Sequence, residues 1–288
     1  MISFGRLSTA MVTPFDSKGN IDFDKTTQLI EHLIQTGTDS LVVAGTTGES
    51  PTLTSEEKVA LFRHTVKVAA GRIPVIAGTG SNNTRVSIEL TKKAEEAGVD
   101  AIMLVAPYYN KPNQEGLFQH FKTIAESTSL PVMIYNIPGR TSILIEPKTT
   151  IRLANEVPNI IATKEASGSI DIVTEILANT ADDFLVYSGD DGLTLPVLSV
   201  GGTGIISVAS HVAGNEMKKM VDAFYAGDVQ TAAVIHQELL PLFRGLFAAP
   251  NPVPVKTALQ LKGLDVGSVR LPLVPLTEDE RTTLSALL

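Results

Sequence analysis

The chain has 288 residues, no cysteine and a net charge of −8 from 23 basic and 31 acidic residues. Those values exclude disulfides, cysteine–zinc sites and thiol nucleophiles, and with no basic cluster they argue against nucleic acid as a partner. With 43% hydrophobic residues, 19% charged ones and no apolar run near 18 residues, the composition is globular, without an expected membrane span. The opening MISFGRLSTAMVTPF lacks a basic segment followed by an apolar one and reads as a first strand, not a signal peptide. Together with the absence of cysteine, it leads us to expect a cytoplasmic protein.

In chain order, a first strand is expected at 7–12. Leu29, Ile30, Leu33 and Ile34 then form one helical stripe, which Gly37 closes. A strand at 40–44 leads into AGTTGES (44–50), and TSEEK (54–58) supplies a polar helix cap. A strand at 74–77 ends in AGTGSNN (77–83), before NTRVS (83–87) caps the next helix. Strands at 101–105 and 131–135 end in VAPYYNKP (105–112) and YNIPGRT (135–141). The run at 160–164 ends on Lys164, the run at 185–188 on SGDDG (188–192), and the run at 204–208 on SVASH (207–211). Met217, Met220, Val221 and Phe224, at i, i+3, i+4 and i+7, mark the helix that follows.

Eight short, almost continuously apolar runs alternating with helices imply a parallel sheet covered on both faces. Eight such units close into a (β/α)8 TIM barrel. The doubly wound alternative would show a glycine-rich turn after its first strand, whereas TPFDSKGN follows here. The expected division is a catalytic barrel over 1–226 and a C-terminal helical region over 227–288 packed on it. In that region 229–247 is helical in pattern with a break or kink at Pro241, Pro254 opens a further helix at its first turn, and 278–287 forms a last short helix.

Active groups of such barrels sit at the C-terminal ends of the strands. Lys164 ends an apolar strand there and has two readings: an ammonium snorkelling to the surface, or an amine kept neutral by burial and able to add to a carbonyl as a Schiff base. The barrel context favours the second. Glu165 should point away from it, because side chains alternate along a strand. Tyr135, on the preceding strand, is either ordinary core or a proton donor to a carbinolamine. Thr46 and Thr47 are turn residues or groups for proton relay and carboxylate binding. Arg140, on the loop after Pro138 and Gly139, is a surface arginine or a bidentate clamp on a carboxylate. The pair Asp190–Asp191 reads as a helix cap before it reads as a magnesium site. The five histidines (32, 64, 120, 211, 236) show no metal-ligand spacing, and neither glycine-rich nucleotide motif is present.

Six motifs in register, GTTGES (45–50), PYYNKP (107–112), YNIPGRT (135–141), IATKEASG (161–168), SGDD (188–191) and PNPVPVK (250–256), make the chain resemble the 4-hydroxy-tetrahydrodipicolinate synthase (dihydrodipicolinate synthase) family. That family lies in the pyruvate-dependent class I aldolase superfamily, which also holds N-acetylneuraminate lyase, and the similarity runs along essentially the whole chain. The resemblance implies condensation of pyruvate with L-aspartate 4-semialdehyde, for lysine and diaminopimelate synthesis, with no cofactor. It implies that Lys164 forms the imine and that Tyr135, Thr46 and Tyr109 relay protons, Tyr109 reaching into a neighbouring subunit of a homotetramer or dimer. It assigns the pyruvate carboxylate to Thr47, backbone lining to Gly189 and Ile206, and the second substrate's carboxylate to Arg140.

Two alternatives remain at this point. A sugar-acid pyruvate lyase shares the lysine, the tyrosine and a Thr-Gly-Glu loop, but those relatives generally lack the arginine of GRT. A non-enzymatic barrel paralogue would not be expected to keep Lys164, Tyr135 and Thr46 together. One departure from the family concerns regulation. Asn82 and Tyr108 match the feedback site for L-lysine of inhibited members, whereas Ser55, Lys58 and Val86 do not. A cation at Lys58 and the loss of a carboxylate at Val86 oppose an ammonium ligand, so inhibition by L-lysine is expected to be weak or absent.

Overall fold

The computed structural model describes residues 3–288; Met1 and Ile2, the start of the opening segment discussed above, lie outside the described residues. Among the described residues the strands are β1 (Leu7–Ala10), β2 (Ser40–Val43), β3 (Val75–Gly78), β4 (Ala101–Val105), β5 (Val132–Asn136), β6 (Ile160–Glu165), β7 (Leu185–Ser188) and β8 (Gly204–Ser207). They form one closed barrel in chain order, β1 to β8, which is the (β/α)8 class that the spacing predicts. The helices are α1 (Phe23–Gln35), α2 (Ser55–Ala69), α3 (Thr84–Glu96), α4 (Gln114–Ala125), α5 (Pro138–Thr141) and α6 (Pro147–Glu156). They continue with α7 (Ile170–Ala178), α8 (Thr194–Ser199), α9 (Ser210–Tyr225), α10 (Val229–Gly245), α11 (Val253–Leu261) and α12 (Glu278–Ser285).

Local chemistry accounts for the helix ends. Thr54 and Glu57 form a reciprocal capping box at α2, and Asn83 accepts from Arg85 N and Val86 N at α3, each satisfying donors that the first turn leaves open. Gly37, at φ +94°, ends the α1 region in a conformation that suits glycine. Strand ends differ from the sequence reading by one or two residues. β2 stops at Val43 because Ala44 turns to φ +54°, and β6 continues one residue past Lys164. Pro241 does not break its helix: α10 runs through it to Gly245.

The described chain divides into two compact units, one of Ile76–Ile206 and one of Phe4–Val75 with Ser207–Leu288. In the first unit β4, β5, β6 and β7 pair in parallel, with Val105 beside Tyr135, Tyr135 beside Lys164 and Lys164 beside Tyr187. The β5–β6 ladder slips once: Val132 faces Ile160, but Met133 faces Ala162. Ile161 is therefore an extra residue in β6. Were Ile161 paired with Met133 instead, with no slip, Tyr135 would stand beside Thr163, and Lys164 would face the other side of the sheet. In the second unit α10 and α11 pack on α9, and α12 packs on α11.

Candidate active site

Lys164 is 5% exposed, on a strand whose lower part is aliphatic. Its Nζ lies 4.2 Å from the centroid of the Tyr135 ring, so the phenyl face and the amine share one space. Room for the lysine stem comes from Gly189: a Cβ there would sit 3.0 Å from Lys164 Cε and 2.6 Å from Ala166 Cβ. The Gly189 N–H is already spent on the Glu165 carbonyl at 2.7 Å, which leaves the Gly189 carbonyl as its offer to a ligand. Ile206 is buried in β8.

Burial pulls the Lys164 amine down to about 8, an effect opposed by the negative Asp191 and reinforced by the positive Arg140. A large share of this amine is thus neutral near pH 8, where an exposed lysine is almost wholly charged. Addition to a carbonyl compound requires the neutral form, so the rate of adduct formation should rise with pH through about 8 and level off above it. Asp191→Asn removes the charge that retains the proton and should move the midpoint down; Arg140→Ala should move it up. Borohydride trapping rates measured against pH check both signs.

Glu165 does turn away from the amine's side. Its oxygens accept from Asn136 Nδ2 at 3.2 and 3.0 Å and from Ser167 N at 2.8 Å. Burial raises its carboxyl, and these hydrogen bonds oppose that rise. Asn136 in turn donates to Ile145 O and accepts from Ile145 N, which closes the loop that carries Arg140. Arg140 itself is exposed on the short helix α5. Tyr109 is 88% exposed with φ +76°, so within this chain its ring stands in solvent. Its loop is pinned by Asn82 Nδ2 donating to Tyr108 O and Asn110 Nδ2 donating to Asn82 O.

Thr46 and Thr47 belong to the second unit, in the turn that follows β2. Thr47 is buried and Thr46 partly so. Gly48 O accepts from Thr13 Oγ1 at 2.7 Å, and Thr47 Oγ1 accepts from Asn251 Nδ2 at 2.9 Å. The adjoining Glu49 pairs with Lys256 in a fully buried ion pair of 2.7 Å.

The family model described as the Dihydrodipicolinate synthetase family matches residues 3–288. The chain belongs to this family. A 4-hydroxy-tetrahydrodipicolinate synthase of Bacillus subtilis (strain 168) is 67% identical over 285 residues, covering 99% of this chain and 98% of the relative. The crystal structure of dihydrodipicolinate synthase DapA-2 from Bacillus anthracis superposes with a TM-score of 0.98 at 65% identity, over 100% of this chain and 98% of that one. The enzyme from Cyanidioschyzon merolae, solved with lysine bound, has a TM-score of 0.97 at 47% identity, over 99% and 97%.

Beside the residues that the family motifs supply, the structure brings up two that sequence reading did not assign. Asp191 reads as half of a helix cap, but only Asp190 caps, accepting from Gly192 N at 2.8 Å. Asp191 is buried and its charge reaches Lys164. Asn251 carried no assigned role, although PNPVPVK pointed to its segment. The histidines have internal partners: His211 Nε2 accepts from Val12 N at 3.1 Å, and His120 Nδ1 and Thr84 Oγ1 are 2.8 Å apart. Among the described residues no group of three or more histidine or acidic side chains is placed to hold a metal ion, and no helix is long and apolar enough to cross a membrane.

Proposed function

We propose that this protein is a lyase of the class I aldolase type that condenses pyruvate with L-aspartate 4-semialdehyde to 4-hydroxy-tetrahydrodipicolinate, on the route to lysine and diaminopimelate. Membership of the family supports the reaction. The single observation that carries the mechanism is the amine of Lys164, buried, lowered to about 8 and lying over the Tyr135 ring.

In this reading Lys164 Nζ adds to the keto carbon of pyruvate, and the carbonyl oxygen leaves as water after taking two protons. Loss of a methyl proton gives the enamine, whose carbon adds to the aldehyde while the aldehyde oxygen takes a proton. The substrate's own amine then adds to the imine carbon, the Lys164 nitrogen departs, and the ring closes. Tyr135 and Thr46 move the protons with Tyr109, which enters from a neighbouring subunit of a homotetramer or dimer; the exposed ring of Tyr109 supports such a reach. Thr47 holds the pyruvate carboxylate, Gly189 and Ile206 line the site through their backbones, and Arg140 receives the carboxylate of the second substrate. Residues 1–226 serve as the catalytic barrel, 227–288 as the helical region packed on it, and the enzyme works in the cytoplasm.

Turnover of the two substrates together, with one pyruvate consumed per aldehyde, tests the reading. Release of pyruvate from N-acetylneuraminate, with no condensation, would replace it by the sugar-acid lyase. Arg140→Ala separates the half-reactions: the pyruvate adduct should still be trapped, while the KM for the aldehyde rises about 10- to 100-fold, the scale of a lost charge-assisted hydrogen bond. Resistance to feedback is part of the same reading. Burial lowers the Lys58 amine, yet Ser55, Lys58 and Val86 offer no carboxylate to a lysine ligand. Activity should therefore persist at millimolar L-lysine; half-inhibition below about 1 mM contradicts the assignment.

A further inference from the structure

The turn after β2 is fixed from the C-terminal part of the second unit, and the contacts are specific. Ala44 and Glu49 both adopt left-handed backbone, at φ 54° and 56°, which non-glycine residues avoid unless their surroundings enforce it. Gly48 between them has a Cβ position only 3.1 Å from Ala44 Cα and from Met11 O. The enforcement comes from Glu49, whose Oε1 pairs with Lys256 Nζ and whose Oε2 accepts from Arg270 N at 2.9 Å. Lys256 also donates to Ser268 O at 2.7 Å. Its Nζ lies 4.2 Å from the Phe15 ring centroid, and the Arg270 guanidinium lies 4.5 Å from the same ring. A charge pair so enclosed is costly to break on one side, so it holds the turn at one end.

At the centre of the turn a second contact does something different. Asn251 is 7% exposed, and its Nδ2 donates to Thr47 Oγ1. A hydroxyl has one proton and two lone pairs; an amide N–H on one lone pair obliges the hydroxyl's own proton to point elsewhere. The other half of the amide, Asn251 Oδ1, is enclosed and has no hydrogen-bond partner among the described residues. An enclosed acceptor without a partner is unfavourable, so packing alone does not account for an amide at this place.

We propose that Asn251 is a positioning residue for pyruvate binding: by donating to Thr47 Oγ1 it aims the Thr47 hydroxyl proton at the keto-acid carboxylate, while the Glu49–Lys256 pair holds the turn in which Thr47 sits. This rests on the reading that Thr47 binds that carboxylate. The direction of the hydrogen bond makes the proposal testable, because Asp in place of Asn keeps the shape and reverses the direction. An acceptor at 251 draws the Thr47 proton to itself and adds a negative charge near an anionic substrate.

The experiment measures pyruvate adduct formation by borohydride trapping and mass spectrometry across pyruvate concentrations, together with full turnover. It compares the wild type with Asn251→Ala, Asn251→Asp, Thr47→Val and the Asn251→Ala/Thr47→Val double variant. Half-saturating pyruvate is expected to rise about tenfold in Asn251→Ala and further in Asn251→Asp, with the KM for the aldehyde within about twofold of wild type. In the Thr47→Val background the alanine change is expected to add less than about twofold, the non-additivity of residues that act through one contact. Should Asn251→Ala not fold, the shape-conserving Asn251→Asp alone decides the direction. Unchanged pyruvate affinity in Asn251→Asp, or full additivity with Thr47→Val, overturns the proposal. Failure of the wild type to trap pyruvate at all refutes instead the imine reading on which it rests.

Discussion

Lys164→Ala is expected to leave no trappable pyruvate adduct and to lower turnover by about 10⁵-fold or more, the scale on which a covalent nucleophile is lost. The change takes out the amine enclosed beside Tyr135. It should not unfold the protein, because at neutral pH the wild-type chain carries the cost of burying a group whose charge burial disfavours, and the variant is relieved of it. The expected pattern is therefore lost chemistry with equal or higher thermal stability. A variant that retained pyruvate-dependent adduct mass on another residue, or retained more than about one thousandth of the rate, would remove Lys164 from the mechanism.

Tyr135→Phe should reduce turnover by about 10²- to 10⁴-fold, the range of a single general acid–base group. The substitution retains the ring, and with it the contact of the Lys164 amine with the aromatic face, so packing and the lowered amine stay in place. Only the phenolic hydroxyl goes. The adduct should still form, more slowly, and the midpoint of its pH dependence should remain near that of wild type. A variant with normal rates of both half-reactions would reduce Tyr135 to a wall of the pocket. One with the pH midpoint displaced by a full unit would show that the hydroxyl acts on the charge of Lys164 and not on the substrate.

The strand spacing and the unbroken apolar runs made the barrel legible in the sequence, since each run has to be covered on both faces. The lysine at the end of the sixth run was legible for the same reason: its apolar neighbours left it few ways to stay charged. What could not be read was anything set by non-local pairing. The slip at Ile161, which decides that Tyr135 and not Asn136 stands beside Lys164, has no local signature in NIIATKEASG. Asp191 resembled its neighbour in sequence, yet one caps and the other is buried against the amine's field. Asn251 lies 204 positions from Thr47, so only the folded chain reveals the contact. Of the break or kink expected at Pro241, the fold excludes the break: α10, packed on α9, runs through a proline that isolated propensity would penalise.

The supernumerary residue of β6 makes the enzyme unequally sensitive to changes in the length of that strand. Excising Ile161 would leave Ile160 opposite Val132 and Ala162 opposite Met133, so the amine would keep its aromatic companion and the strand would merely straighten. Inserting one residue between Ala162 and Lys164 would reverse the lysine, sending its nitrogen among the helices. Drift in strand length is thus harmless before Ala162 and ruinous after it, a polarity invisible to any count of which amino acids are present.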